Sequence, residues 1–331
     1  SQFLHKNDSS RTLAISYENF VFLKENNKSL NIRAWPSERI KIYVVKKKIE
    51  ELFEFKSKYK NNFYLTKYNE VYNFFLNNLK KKKKIKFIKL KNYNDISLNI
   101  KNYNLTINSD PESHITKKYF YKKIEKSYNS TAYTFLIFHK KLKNNIAMQI
   151  FTKHGPFAFL PLSNDKTSIV FSYKGFNKLQ FIEIKKILEK FNYKNKIIRF
   201  GKLESFNLSF STLRNYYHDN ILSFGDLLHK IHPLAGQGFN MTIRDIKILS
   251  KIIDDKINLG LEIDSSVPID FEKKTKHLNM IYASGVDLIY KFFNMNSKFN
   301  NSLSDPLFKI FRKNNILNKY ATYFSDRGIN F

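Results

Sequence analysis

Hydrophobic and polar positions change period several times along the chain, and each change predicts an element. Thr12–Ser16 (TLAIS) is an apolar run of strand length, and in Tyr17–Asn26 the side chains of Phe20, Val21 and Leu23 share one side of a helix. Ile40–Val45 alternates as a strand does. Over Glu70–Leu79, Val71, Phe74, Phe75 and Leu79 recur at helical spacing, with Asn69 placed to cap the start and lysines suited to the end. Ile85–Leu90 then reads as a strand, and Ile96–Ile100 with Tyr103–Ile107 as a hairpin pair.

From about residue 131 to 173 strand-sized runs repeat: Ala132–His139, Ala147–Lys153, Phe157–Leu162 and Ser168–Tyr173. Asn164-Asp165 supplies turn chemistry between the last pair, so this stretch predicts an antiparallel sheet in a second region. Phe181–Phe191 places Phe181, Ile184, Ile187, Leu188 and Phe191 on one helical face. Asn220–Phe224 reads as a buried strand, and the chain beyond 258 as largely helical, with Pro268 and Pro306 as breakers. There is no internal repeat.

Composition narrows the picture. The 331 residues are 42% hydrophobic and 26% charged, enough for a sizeable core and, by length, about two domains. No stretch approaches the ~18 consecutive apolar residues of a membrane span, and the first residues lack a charged-then-apolar leader. The expectation is a cytoplasmic protein, with at most peripheral contact to the inner membrane. The net charge of +30 comes from lysines spread among abundant Asn, Ile, Phe and Tyr, a mix that an AT-rich coding sequence yields. Its one dense run, Lys80–Lys84 with Lys86, Lys89 and Lys91, reads as a solvated helix end followed by the open face of a strand. No specific nucleic-acid partner is expected; binding of nucleic acid or an anionic surface through that run stays open as a lesser reading. The absence of cysteine excludes disulfides, zinc–thiolate sites, iron–sulfur clusters and thiol nucleophiles.

Glycine is the informative residue. There are nine, and none precedes Gly155, which excludes a phosphate-binding loop or a G-x-G-x-x-G turn from the first half of the chain. Three of the nine, Gly225, Gly236 and Gly238, fall within fourteen residues, in the segment NILSFGDLLHKIHPLAGQGFNMTIRDIKILSKII over 220–253. A strand ending at Gly225-Asp226, a loop with Pro233 and Gly236-Gln237-Gly238-Phe239-Asn240, and a helix with Ile246, Leu249, Ile253 and Ile257 on its core face together suit a cofactor. The Asp carboxylate can accept from ribose or ribityl hydroxyls, the glycines let backbone N–H groups approach an anion, and the helix start adds positive potential.

The run Gly-Asp-x-x-His…His-Pro-x-x-Gly-Gln-Gly-x-Asn-x-x-x-x-Asp resembles the second flavin-binding motif of the FAD-dependent aromatic hydroxylases, nearest to the ubiquinone-biosynthesis branch that hydroxylates polyprenylated phenols. Ser10–Ser16 is similar to the Arg-containing stretch after that family's first βαβ unit, Phe151–Leu162 to its substrate-domain strands, and Phe271–Thr275 to the start of its carboxyl-terminal helices.

The resemblance implies an α/β fold: a Rossmann-like FAD-binding domain, its amino-terminal βαβ unit missing from the sequence, an antiparallel β-sheet substrate domain, and C-terminal helices. It implies a discontinuous FAD domain of 1–25, 60–118 and 211–258, a substrate domain of 26–59 and 119–210, and a helical region over 259–331. It implies FAD as cofactor, NAD(P)H or another electron donor, and oxygen transfer to a phenol ring through a flavin C4a-hydroperoxide. By the same resemblance Gly225, Asp226, Gly236, Gln237, Gly238, Phe239 and Asn240 bind the flavin, Pro233 lies beside its ring, and Arg11 sits over the cofactor. Asp110 stands where the family has Asp-Gly near the pyrophosphate, with Pro111 in place of glycine and its N–H. Contact with the membrane or with a ubiquinone-biosynthesis complex is a further implication.

His232 and His229 flank the loop and could activate a phenol as general bases, or serve as structural hydrogen-bonding groups. Arg244 and Asp245 read as a cap or salt bridge in the helix's first turns. No His/Asp/Glu set has metal spacing, and G-x-S-x-G is absent. The aromatic, basic segments Val286–Phe293 and Pro306–Phe324 suit either core packing or a peripheral surface. A non-catalytic scaffold that keeps the fold is the alternative to an enzyme.

Overall fold

A computed structural model describes residues 10–45, 48–56, 61–88, 100–175, 177–192, 194–231 and 237–296. In chain order the first elements are β1 (Thr12–Ser16), α1 (Tyr17–Glu25), β2 (Trp35–Ser37), β3 (Arg39–Val45), β4 (Ile49–Lys56), β5 (Phe63–Lys67) and α2 (Tyr68–Lys80). Next come β6 (Thr106–Asn108), α3 (His114–Tyr119), β7 (Lys123–His139), β8 (Ile146–Thr152), β9 (Gly155–Ser163), β10 (Lys166–Lys174), α4 (Phe181–Phe191) and β11 (Ile197–Phe200). The remainder is β12 (Glu204–Leu213), β13 (Tyr217–His218), β14 (Ile221–Ser223), β15 (His229–Lys230), α5 (Gln237–Asn258) and α6 (Ser266–Asn296). The mixed α/β architecture expected from the sequence is present. The chain forms two compact units: the first holds residues 10–81 and 128–208 with the end of α6 from 290, the second 82–127 and 209–289.

In the first unit the sheet runs β7-β10-β9-β8-β3-β4, with β11 paired to β7. All its pairs are antiparallel except β3 with β8, which run parallel from Arg39↔Ile146 to Val44↔Phe151. Alternation sends Tyr133, Phe135, Ile137, Ile150, Phe157, Phe159, Ile169 and Phe171 to one face, where Ile184 and Leu188 of α4 cover them. Phe157 stacks on Phe171 with centroids 3.9 Å apart. The Glu183 side chain accepts the Gln180 N–H at 2.7 Å, which satisfies a donor at the start of α4. Gly155 makes the β8–β9 turn possible: its φ is +121°, and a Cβ there would lie 1.9 Å from the Ser172 carbonyl oxygen. A smaller antiparallel sheet, β1-β5-β2, packs Ala14, Phe63 and Leu65 against Ile40, Leu160 and Leu162.

In the second unit β13 pairs antiparallel with β14, and β14 lies parallel to β6 in the register Ile221↔Thr106 to Ser223↔Asn108. Its core gathers Ile100, Ile115, Leu213, Tyr216, Leu222 and Phe224 against Leu249 and Ile252 of α5 and Val267 and Phe271 of α6.

Several local expectations are corrected. Of the strand expected over Ile85–Leu90, residues 85–88 form none and pair with no described strand; Ile85, Phe87 and Ile88 are exposed, and residues 89 and 90 lie outside the described residues. Ile100 lies in a 3-10 turn, and Thr106–Asn108 pairs with β14 rather than in a hairpin; residues 96–99 lie outside the described residues. Asn69 is inside α2, whose N-cap position is Lys67. Pro268 does not break a helix but lies in the first turn of α6, where a missing N–H costs nothing. The second stretch of the aromatic carboxyl-terminal region, Pro306–Phe324, lies outside the described residues. Among the described residues no helix is long and apolar enough to cross a membrane.

Candidate functional site

The site forms in the second unit where β6 and β14 end side by side. Because these strands are parallel, both carboxyl ends point the same way: Asp110 follows β6 by two residues, and Asp226 follows β14 by three. Both aspartates are exposed. Ligands of open parallel sheets bind at the carboxyl ends of the strands, where loops are free to differ and backbone groups are unpaired.

Each aspartate is set by its own turn. Phe224 N–H donates to Asn108 O at 2.9 Å, tying β14 to β6 at its last step. Gly225 then takes φ +68°, a left-handed conformation that glycine adopts without strain, and no atom lies within 4 Å of where a Cβ would stand. Gly225–Leu227 makes one 3-10 turn, closed by Leu228 N–H to Gly225 O at 3.0 Å, which leaves Asp226 outward and Leu227 and Leu228 inward. Around Asp110, Ser113 N–H donates to Asp110 O at 3.3 Å across a turn whose second residue is Pro111, a position that suits proline. Asn108 reinforces it: its Nδ2 donates to Thr116 Oγ1 at 2.8 Å and its Oδ1 accepts from Ser113 Oγ at 3.1 Å. The Asp110 carboxylate accepts the Glu112 N–H at 2.9 Å.

The glycine loop leads to α5, which begins at Gln237. Gly238 and Phe239 are half-buried and Asn240 is buried in its first turns, and the Thr242 hydroxyl donates to Gly238 O at 3.3 Å. Pro233, His232 and Gly236 lie outside the described residues. Arg11 belongs to the first unit, immediately before β1; its guanidinium carbon lies 4.9 Å from the Tyr68 ring centroid, and its carbonyl accepts the Tyr68 N–H at 2.9 Å. The second unit carries Asp110, Gly225, Asp226, Gly238, Phe239 and Asn240, and Arg11 belongs to the first unit.

Behind the Gly225 turn lies a buried polar chain that the sequence did not reveal. His229 Nε2 is 2.8 Å from Asp245 Oδ2, and Asp245 Oδ1 accepts from Arg244 Nε at 3.2 Å and Nη2 at 2.8 Å. Arg244 Nη2 also donates to Asn279 Oδ1, and Asn279 Nδ2 donates to the Tyr216 hydroxyl at 3.3 Å. His229, Asp245 and Arg244 are all at most 2% exposed. Burial alone would raise the Asp245 carboxyl, but the hydrogen bond from His229 and the Arg244 guanidinium outweigh it and hold it below its usual range. Burial pushes the Tyr216 and Tyr282 phenols up, so both stay protonated. Arg244 and Asp245 were expected as a cap or salt bridge; the bridge is there, in the core. The buried side of α5 includes Met241, Asp245, Leu249 and Ile252, and the expected Ile246 and Ile257 are exposed. The adjacent Arg-Asp pair in an amphipathic helix was the available signal; Asn279 and Tyr216 had none.

No protein-family model matches the chain. Its fold is that of the FAD-dependent monooxygenases. A p-nitrophenol 4-monooxygenase, PnpA, from Pseudomonas putida DLL-E4 superposes with a TM-score of 0.70 over 98% of this chain and 90% of that one, at 12% identity. PqsL, a probable FAD-dependent monooxygenase from Pseudomonas aeruginosa, gives 0.64 over 88% of each chain at 13% identity.

Sequence relatives include enzymes of ubiquinone biosynthesis. The mitochondrial ubiquinone biosynthesis monooxygenase COQ6 of Dictyostelium discoideum is 33% identical over 100 residues, 30% of this chain and 20% of the relative. The 3-demethoxyubiquinol 3-hydroxylase of Escherichia coli K12 is 31% identical over 157 residues, 45% of this chain and 40% of the relative. The matched part of the chain thus spans less than half the length of these relatives.

Proposed function

We propose that this chain carries the flavin-ring and substrate-binding parts of an FAD-dependent monooxygenase that hydroxylates the ring of a polyprenylated phenol in ubiquinone biosynthesis, with NAD(P)H or another donor reducing the flavin. The observation that carries the reading is the position of Asp110 and Asp226 just past the carboxyl ends of adjacent parallel strands, with a left-handed glycine turn at Gly225. The relatives' names supply the reaction class.

The residues present fit the flavin half of FAD. Asp226 offers a carboxylate to ribityl hydroxyls, and Gly225 leaves open space on the turn beside it. Gly238, Phe239 and Asn240 lie at the start of α5, and their backbone N–H groups and the helix's positive end would suit an electron-rich ring edge. When bound, flavin supplies the oxygen-activating chemistry; the protein's part is to orient it and the phenol and to keep water away. We extend this to Arg11, Pro233 and His232 as residues over or beside the cofactor, to Gly236 and Gln237 in the loop, and to the discontinuous domain division expected from the sequence. Molecular oxygen is the co-substrate, and contact with the inner membrane or a biosynthetic complex brings the polyprenyl substrate within reach.

FAD titrated into the protein should lose its fluorescence as it binds, and Asp226→Ala should weaken that binding by about tenfold or more, the loss of hydrogen bonds to a charged acceptor. Unaltered FAD fluorescence with the intact protein would sink the reading. A scaffold that keeps the fold is the second reading, favoured by the Asp110 carboxylate being taken up by its own turn. It predicts FAD binding without consumption of NAD(P)H or oxygen when a prenylated phenol is added.

A further inference from the structure

The Gly225 turn hangs between very short ladders, a three-residue β14 and a two-residue β15. Pairing that brief contributes little by itself. Leu227 and Leu228 anchor the turn by burial, which holds position without fixing angle. Backbone hydrogen bonds hold its two ends, Phe224 N–H to Asn108 O at 2.9 Å and Leu213 N–H to Leu228 O at 3.0 Å, and the side-chain anchor beside them is His229, three residues beyond Asp226, bonded to Asp245 at 2.8 Å. Asp245 is in turn held by Arg244, and Arg244 by Asn279 of α6. An apolar trio of similar volume would fill this space at comparable or better stability, so burial energy does not account for a histidine, an aspartate and an arginine here. What such a set adds is orientation: a carboxylate that accepts from one ring nitrogen sets both the tautomer and the plane of an imidazole. With Nε2 as the donor, His229 Nδ1 is an acceptor, and it is buried with no partner among the described residues.

We propose that Arg244, Asp245 and His229 are positioning residues for the cofactor turn: Arg244 and Asn279 fix the Asp245 carboxylate, Asp245 fixes the His229 ring, and His229 fixes the Gly225–Leu228 turn that presents Asp226. The purpose of this relay rests on the flavin reading; its mechanics do not.

Two near-isosteric variants separate it from general packing. In His229→Gln the amide nitrogen reaches the place of imidazole Nε2 and still donates to Asp245, whereas in His229→Asn it reaches only the place of Nδ1. Amide hydrogen exchange is followed at Leu228, whose N–H closes the turn on Gly225 O, with Ile252 in α5 as the reference for global opening. FAD affinity is read in parallel by flavin fluorescence. His229→Asn should speed Leu228 exchange relative to Ile252 by about tenfold or more and weaken FAD by a similar factor, with His229→Gln within about threefold of wild type in both. Asp245→Asn, which alters the relay from its other end, should resemble His229→Asn. Equal exchange at Leu228 in the Gln and Asn variants overturns the relay. Exchange that rises at Ile252 as much as at Leu228, in both His229→Asn and Asp245→Asn, overturns it too, leaving a plain stability element. Exchange that separates the variants while their FAD affinities stay equal overturns its role in presenting Asp226. A wild-type protein without FAD affinity removes the flavin reading alone, and the exchange measurement still decides the mechanics.

Discussion

Beneath α4, the first unit buries Tyr133, Phe135, Phe157, Phe159 and Phe171, and the Tyr133 hydroxyl accepts the Leu179 N–H at 2.7 Å. The second unit also has an apolar core, but Arg244, Asp245 and His229 run through it. The two glycines that shape turns differ in the same sense. Gly155 in the first unit is pressed against the Ser172 carbonyl, whereas Gly225 in the second has open space around it and needs only its positive φ. The contrast teaches that dense apolar packing and directional polar contacts serve different ends. Packing yields most of the stability, because burial is roughly proportional to area and indifferent to direction. A buried ion pair is close to neutral against an apolar replacement of the same volume, while its hydrogen bonds are directional.

Phe171→Ala should break the first region most severely. It removes a fully buried ring stacked at 3.9 Å, and urea unfolding should show a loss of about 3–5 kcal/mol. Arg244→Met should cost about 3 kcal/mol by the same measurement, since it strips the buried Asp245 carboxylate of a cation. If simultaneous replacement of Arg244, Asp245 and His229 by apolar residues cost as much as Arg244→Met alone, the distinction between stability and geometry would fail.

The glycines sharpen the contrast at smaller cost. Gly155→Ala should lose about 2–3 kcal/mol from backbone strain and crowding, and Gly225→Ala about 1–2 kcal/mol from the left-handed backbone alone. Equal melting-point shifts for the two would deny that they differ in their surroundings.

The least conspicuous effect is in acid. Asp245 titrates below its ordinary 3.8 in the folded protein, so its share of stability is fully present above that value and is lost as pH falls through the lower, folded value. Asp245→Asn should therefore lose stability less steeply than wild type below pH 3.8 in acid unfolding curves. Parallel curves would mean that the carboxyl's environment adds nothing to acid sensitivity.

Much of this was legible in the chain itself. The strand runs of 131–173, the helix over 181–191 and the Gly225-Asp226 block all stand where their patterns placed them. Each depends on contacts close in sequence: alternation, helical spacing, or a backbone angle that one residue type favours. The errors share the opposite cause. Ile85–Ile88 alternates but pairs with no described strand, Thr106–Asn108 pairs with a strand more than a hundred residues later, and α5 buries Asp245 in place of Ile246.

By itself, then, the sequence determined the periodicities, the turn chemistry and the block that resembles a motif of flavin-dependent hydroxylases, because these are properties of neighbouring residues. Tertiary structure alone decided that β3 lies parallel to β8, that Asp110 and Asp226 end adjacent strands, and that Arg244, Asp245, His229 and Asn279 meet in one chain of hydrogen bonds. Those pairings come from competition among distant segments to bury apolar surface and satisfy polar groups at once. No local pattern records the winner.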